Sequence, residues 1–483
     1  IRVSAVTSNT PVLEVKNLYF RYQSGDYVLR GLNLVVDKGE HVLIIGDTGS
    51  GKTTLTRVLT NTALTIYGGR VEGLIKIMGK RLDELNSDEP RREIFLIGQN
   101  PYLFFVDPLV REDLYNYALR VHRNHEHAEK AVKKAIESTG IHKLVDRYFY
   151  ELSGGEARRV QVAKSLISDP ALLLFDEPLM WLDDKGVNDF LNLLRLMRNL
   201  GKSVIVFEHR FLPIMRSFDK VYLLSNGRLH DVTEHAWRLT KKPYSLRTDP
   251  NQQRSSDENR EVILEANDIH HVYNGNNVLR GINLKIRRRD FILIYGLNGS
   301  GKTTLLKILA GYLKPSKGTV KKHCDTIYIP QNTILFFTEE TIEKEVNEIC
   351  KTRNLGDNCV REGLRILGEL GFDVHQSPFN LSHGQMVKLA VTLAQLTRAK
   401  LILLDEPFSG LTYVDRVKLL GHLRELGITV VLTVSNLDAY QEEYWTKTYR
   451  LDNGLLVEFK PDKLFSLDRA AWLYEELKNG VSN

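Results

Sequence analysis

Twice along this chain an apolar, strand-like run leads into a glycine-rich loop, and the loop opens a segment whose apolar residues recur at helical spacing. The surroundings repeat as well. The stretch LEVKNLYFRYQSGDYVLRGLNL from Leu13 matches LEANDIHHVYNGNNVLRGINL from Leu264 with one residue deleted, an internal duplication. Downstream, each half has a glutamine after an apolar run (Gln99, Gln331), a Leu-Ser-x-Gly string (Leu152 to Glu156, Leu381 to Gln385) and an apolar run ending Asp-Glu-Pro. The first of those runs, Leu172 to Phe175, predicts a strand that ends at Asp176. The serine of the string and the aspartate are 23 residues apart in both halves, Ser153 to Asp176 and Ser382 to Asp405. The next β-branched runs, SVIVFEHR and TVVLTVSNLD, set His209 of the first half against Ser435 of the second. Between the halves, PYSLRTDPNQQRSSDENRE is polar, charged and without periodicity, which predicts a linker or a solvated helix. The expected organisation is a first domain over residues 1–240, a linker over 241–260 and a second domain over 261–483.

The two loops are Gly46-Asp47-Thr48-Gly49-Ser50-Gly51-Lys52-Thr53-Thr54 and Gly296-Leu297-Asn298-Gly299-Ser300-Gly301-Lys302-Thr303-Thr304. A triphosphate must shed water from several negative charges on binding. Glycines let successive backbone N–H groups point at it from the start of a helix. The lysine adds a point charge at the β and γ phosphates, and the hydroxyl of Thr53 or Thr303 is suited to Mg²⁺.

Composition changes this picture little. A chain of 483 residues is long enough for two or three domains with their own cores. The formal charge of +6 is mild for that length. No apolar run approaches the ~18 to 20 residues that cross a bilayer, and the start lacks a secretory signal, so the chain is expected to be soluble by itself. It starts at Ile1 rather than Met, which leaves room for a preceding segment. Cys324, Cys350 and Cys359 form neither a Cys-x-x-Cys pair nor an even set, so they are expected to be thiols in a reducing compartment.

Together, LSGGE followed by LLLFDEP, with LSHGQ and its own Asp-Glu-Pro in the second half, resembles the nucleotide-binding domains of the ATP-binding-cassette (ABC) family over nearly the whole chain. The resemblance implies an α/β fold with two P-loop NTPase domains. Each would have a RecA-like core, an antiparallel β subdomain and a helical subdomain, and the two would be arranged head to tail. It also implies ATP and Mg²⁺ as cofactors and ATP hydrolysis as the activity. Asp176 and Asp405, with Thr53, Thr303, Gln99 and Gln331, would serve the metal. Glu177 and Glu406 would polarise the attacking water, and His209 would contact the γ-phosphate. Tyr22 and Tyr273 stand where the family stacks an aromatic on adenine, although ordinary strand aromatics would read the same.

The second half departs from the pattern. Ser435 replaces the histidine, His383 interrupts the string Ser382-His383-Gly384-Gln385, and Thr412 stands where the first half has Asp183. In the family, each ATP lies between one domain's phosphate loop and the other's signature. The site on Lys52 would then receive Ser382, His383, Gly384 and Thr412. The site on Lys302 would receive Ser153, Gly154, Gly155 (with Glu156 behind them) and Asp183. Most turnover is expected at the first.

After Gln99 the chain reads NPYLFFVDPLVREDLYNYAL, and after Gln331 it reads NTILFFTEETIEKEV. Both resemble the glutamine-loop stretch of cassette subunits in energy-coupling-factor (ECF) importers. That implies two membrane partners, a transmembrane subunit and a small substrate-binding subunit, and a place on the cytoplasmic face of the membrane. No nucleic acid is expected. Tyr102, Leu103, Phe104 and Phe105 would either receive a partner helix or pack the domain's own helical arm. A soluble tandem ABC protein acting on ribosomes or nucleic acid, and the tandem cassette of a sugar importer, are the other readings. The stretch Pro461 to Gly480 has helical spacing. It is expected to pack on its own domain, with dimerisation or regulation as alternatives.

Overall fold

The computed structural model describes residues 10–23, 25–84, 93–180, 182–241, 260–273, 275–438, 440–461 and 466–482. The chain divides into two compact units, Ile1–Pro243 with Leu473–Asn483, and Tyr244–Trp472. Most of the expected linker lies outside the described residues.

In the first unit, a four-stranded antiparallel sheet is built from Leu29–Val36, Leu13–Arg21, Arg70–Ile77 and Lys80–Arg81, in that order. Its inward side chains, among them Leu18, Phe20 and Leu32, share a core with Leu55, Leu174 and Phe207. Leu55 lies on the helix Lys52–Leu59, and Leu174 and Phe207 belong to a six-stranded sheet ordered Arg228–Asp231, Lys220–Ser225, His41–Ile45, Ser203–Glu208, Leu172–Asp176, Ile94–Ile97. All its pairings are parallel except that of the edge strand Arg228–Asp231. Strands covered on both faces read as unbroken apolar runs, which explains HVLII, LLLF and SVIVF. A helical arm, Val110–His122 and His125–Thr139, packs on the helix Gly154–Ser168 around Leu114, Ala128 and Ala163. Inside it Lys164 pairs with Asp113 at 2.8 Å, both nearly sealed from water.

His41 starts a central strand with its imidazole fully buried. Burial, aided by the Arg198 charge, holds it down to about 4 from an ordinary 6.5. A depressed histidine favours the neutral form in the fold. Its contribution is complete above pH 6.5 and is lost as pH falls towards 4. The gap is worth ~3 kcal/mol. Thermal melts between pH 7.5 and 5 should therefore show a smaller acid-induced drop in Tm for His41→Phe than for the wild type.

The second unit repeats the plan. A three-stranded antiparallel sheet (Asn276–Arg287, Val262–Tyr273, Lys317–Lys322) stands beside a six-stranded sheet. The order of the latter is Thr326–Ile329, Leu401–Leu404, Thr429–Val434, Phe291–Tyr295, Lys447–Asp452, Leu455–Glu458. Its arm is Ile342–Thr352 with Gly356–Glu369.

Two expectations need correction. Cys350 and Cys359 are joined in a disulfide, and Cys324 alone is a free thiol. Cysteine parity carries no information about the turn between the helices that end at Thr352 and start at Gly356. That turn folds the arm back on itself and brings the two Cα atoms to 5.8 Å, within the span a disulfide bridges. The C-terminal stretch is helical over Leu467–Ser482, but residues 473–483 group with the first unit rather than the second. There the Tyr474 ring lies 6.1 Å from that of Phe211, and Lys478 Nζ is 3.0 Å from Asp47 Oδ2. Among the described residues, no helix is long and apolar enough to cross a membrane.

Candidate active sites

Strand register brings distant motifs together. In the first unit Ile45 pairs with Glu208, and Phe207 with Asp176. The loop at Gly46, the acidic pair and His209 therefore leave the sheet at one edge, beyond the carboxyl ends of parallel strands. In the second unit Tyr295 pairs with Val434 and Leu404 with Leu432, which assembles Gly296, Asp405, Glu406 and Ser435 in the same way.

Gly49, Gly51, Gly299 and Gly301 all take positive φ, from 79° to 105°. Gly46 is required for another reason. A Cβ there would meet the Leu224 carbonyl oxygen at 2.6 Å. The loops then open the helices Lys52–Leu59 and Lys302–Ala310. Thr48, Gly49, Asn298 and Gly299 lie exposed at the loop tips, and the buried hydroxyls of Ser50 and Ser300 have no hydrogen-bond partner among the described residues. Each lysine folds over its own loop. Lys52 Nζ donates to the carbonyls of Gly46 and Asp47 at 2.8 and 2.9 Å, and Lys302 Nζ to those of Gly296 and Leu297 at 2.7 and 3.0 Å.

Glu177 and Glu406 both hold a left-handed backbone, at φ 47° and 49°. For a residue with a Cβ this conformation costs about 1–3 kcal/mol, strain that is stored where chemistry needs a fixed direction. Around Glu177 stand Lys52 at 3.8 Å, His209 Nδ1 at 3.5 Å and Gln99, which donates to Oε2 at 3.1 Å. Burial pushes this carboxyl up, but His209 and Lys52 together pull it down to about 2. Asp176 goes the other way, raised to about 6 by burial and by the Glu177 charge. Its Oδ1 is buried without a hydrogen-bond partner among the described residues, the environment a bound cation would complete. No group of three or more His, Cys, Asp or Glu placed to hold a metal ion occurs among the described residues. A cation here would therefore take oxygen donors from Asp176, Thr53, Gln99 and phosphate, a set suited to Mg²⁺.

The second site differs in detail. Lys302 is 3.0 Å from Glu406, and Ser435 donates its hydroxyl (2.9 Å) and its backbone N–H (3.1 Å) to the other carboxylate oxygen. Asp405 accepts from Thr303 at 2.7 Å, Thr433 at 2.8 Å and Tyr328 at 3.1 Å. The residues corresponding to Tyr328 and Thr433 in the first half are Leu96 and Phe207, which cannot donate. Gln331 makes no hydrogen bond among the described residues, whereas Gln99 is engaged.

Both signature strings are helix N-termini. Ser153 and Ser382 accept from the backbone of Glu156 and Gln385, whose side chains accept from the serine N–H in return, so each string is a capping box. A Cβ on Gly154 or Gly155 would meet nothing within 4 Å, so packing within the unit does not demand glycine there. Close approach of a phosphate to a bare helix end would. In the second half, Gly384 faces Leu411, which a Cβ would touch at 2.7 Å, and burial lowers the His383 imidazole. Asp183 and Thr412 are both N-caps, of Asp184–Asn199 and Tyr413–Glu425. Tyr22 lies against the phosphate-loop helix, its hydroxyl 3.2 Å from that of Thr54, while Tyr273 is 67% exposed at a strand end. Sequence reasoning missed Tyr328 and Thr433, since nothing local marks a strand residue that reaches a neighbouring aspartate.

The ABC transporter family pattern matches residues 29–180 and 279–409, each segment holding one phosphate loop and one acidic pair. A Sulfurisphaera tokodaii protein named for the ATP-binding part of an ABC transporter is 30% identical over 472 residues, 93% of this chain and 98% of that protein. A Methanosarcina acetivorans protein of the same naming is 27% identical over 94% of this chain and 91% of its own length. Among solved structures, one titled RNase-L Inhibitor has a TM-score of 0.61 at 21% identity, with 92% of this chain and 91% of that chain covered. That last likeness is one of fold. The chain belongs to the ABC transporter family and carries two ABC ATPase domains in tandem, the catalytic apparatus for ATP hydrolysis.

Proposed function

We propose that this chain is the ATP-hydrolysing subunit of an ECF-type importer of a vitamin or metal ion, working at the cytoplasmic face of a membrane. Its partners would be a transmembrane subunit and a small substrate-binding subunit. The observation that carries the reading is the pair of apolar turns just after Gln99 and Gln331. In the first, Tyr102 and Phe105 pack the helical arm, but Leu103 and Val106 are 79% and 67% exposed. In the second, Leu335 is 72% exposed. Apolar side chains held outward beside the γ-phosphate sensor suit a partner helix that must feel the nucleotide state. The naming of the relatives as ATP-binding parts of ABC transporters points the same way.

In each site the lysine and loop amides would hold the phosphates, and Mg²⁺ bound by Asp and Thr would neutralise charge on the β and γ phosphates. Glu177 orients and polarises water at the first site, where His209 faces the γ-phosphate. The second site would bind ATP and turn it over slowly, because Ser435 is shorter than histidine and its hydroxyl is spent on Glu406. Removing the γ-phosphate releases the loop contacts and lets the surface beyond Gln99 move.

Affinity purification of the chain from native membranes in mild detergent tests this. A polytopic membrane protein and a small hydrophobic subunit should co-purify with the wild type. Both should be lost from Leu103→Glu/Val106→Glu, whose basal ATPase rate stays within about twofold. Recovery of ribosomes, or of no membrane protein, would instead favour a soluble tandem ATPase.

A further inference from the structure

Four polar side chains of the first unit are buried where the second half has smaller or apolar ones. Arg158 and Gln161 lie on the helix that follows the signature serine, and Glu208 and Arg210 flank His209. All are at most 4% exposed. Counted from the signature serine and from the strand end, the corresponding residues are Val387, Ala390, Val434 and Asn436. Burying such groups is costly unless they are partnered, so a cluster confined to one half of a duplicated chain calls for a local reason.

Glu208 is the centre. Its Oε1 accepts from the backbone N–H of His209 and of Arg210, both at 2.9 Å, and its Oε2 accepts from the Leu179 N–H at 3.0 Å. Leu179 lies in the loop that runs from the acidic pair to Asp183. Arg210 ties the same loop from the other side, donating to the carbonyls of Leu182 at 2.9 Å and Leu179 at 3.3 Å. Oε1 is also 3.3 Å from the His209 imidazole Nδ1. Arg158 is buried within the reach of the Glu208 and Tyr102 charges. Burial draws its guanidinium down to about 10, against the opposing charge of Glu208. Tyr102, three residues past Gln99, donates its hydroxyl to the Leu152 carbonyl before the signature serine. The second half secures its corresponding loop differently, through Arg416 donating to the Leu411 carbonyl at 3.1 Å, and the residue before Ser435 is Val434 rather than a glutamate.

We infer that Glu208 is a positioning residue for ATP hydrolysis at the first site: its carboxylate fixes His209 and the loop after Glu177 as one unit. The inference rests on the reading of His209 as the γ-phosphate contact. Glu208 is fully buried and both its oxygens are held by backbone N–H groups, so it acts on the placement of its neighbours. Displacement of a reacting group by about an ångström can lower a rate ~10²-fold.

The test uses the full chain with the variants His209→Ala, Glu208→Gln, their combination, and Glu208→Val/Arg158→Val. The last copies the residues of the second half and removes opposite buried charges together, so it keeps the fold where a lone deletion would strand a charge. Turnover, KM for ATP and Tm are read for each. The expected result is a kcat lowered ~10- to 100-fold in Glu208→Gln and in the Val/Val protein, with KM within ~3-fold. The Val/Val protein should melt near the wild type. Adding Glu208→Gln to His209→Ala should lower kcat by clearly less than it does in the wild-type background, since only the loop after Glu177 is left to position. Wild-type kcat in the Val/Val protein, or full additivity with His209→Ala, would overturn the inference while leaving the site intact. Wild-type turnover in His209→Ala would instead overturn the underlying reading of the site, and the inference with it.

Discussion

Replacing Glu177 with glutamine is expected to lower ATP turnover by the full chain about 10²- to 10⁴-fold, with ATP affinity nearly unchanged. The amide keeps the shape and the hydrogen bonds to Gln99 but cannot draw a proton from water. Three features single out this carboxylate. Its backbone is held at φ 47°, a conformation kept only where the surroundings enforce it. It faces Lys52, His209 and Gln99 at once. Its pKa is held down to about 2, so the group is ionised at neutral pH. Phosphate release and equilibrium ATP binding, measured side by side, check the split between kcat and affinity.

The second large effect is expected from His209→Ser, which copies the residue the second half carries. A serine at this position can turn onto the neighbouring glutamate, as Ser435 does onto Glu406 at 2.9 Å. The variant then loses a donor aimed at the γ-phosphate and gains a competitor for the lone pairs that activate water. Loss of one preorganised contact of this kind costs about 10²- to 10³-fold in rate. Steady-state ATPase rates at saturating ATP measure it. A loss below about threefold would mean that His209 does not face the reacting phosphate.

Much of this could be read from the chain. The apolar runs before Gly46, Asp176 and His209 announced strands, and repetition of the same order of motifs in the second half announced a second domain. Loops, acidic pairs and signature serines are short local strings whose chemistry depends on neighbours in sequence, so they were legible before any fold was known. What escaped depends on register. Tyr328 reaches Asp405 only because their strands are adjacent, and Glu208 reaches Leu179 across 29 residues. The Cys350–Cys359 link needed the turn of a helical arm, and the grouping of Tyr474 and Lys478 with the first unit needed the path of the final helix. Conversely, two positions that looked equivalent in sequence have different surroundings. Tyr22 contacts the phosphate-loop helix, but Tyr273 points into solvent.

The asymmetry of the two sites is the central claim, and it grows from differences at a few positions. At the first site Asp176 has a buried oxygen with no hydrogen-bond partner among the described residues, and Glu177 is shared among a lysine, a histidine and a glutamine. At the second, hydroxyls from Thr303, Thr433 and Tyr328 already occupy Asp405, and Ser435 occupies Glu406. A carboxylate so engaged must break those bonds before it can serve a metal or a water. The most direct measurement is the ATPase rate of Glu177→Gln and Glu406→Gln made in otherwise identical full-length protein. The account predicts a loss of about 10²-fold or more in the first and only a few-fold loss in the second. Equal losses in the two variants would contradict it.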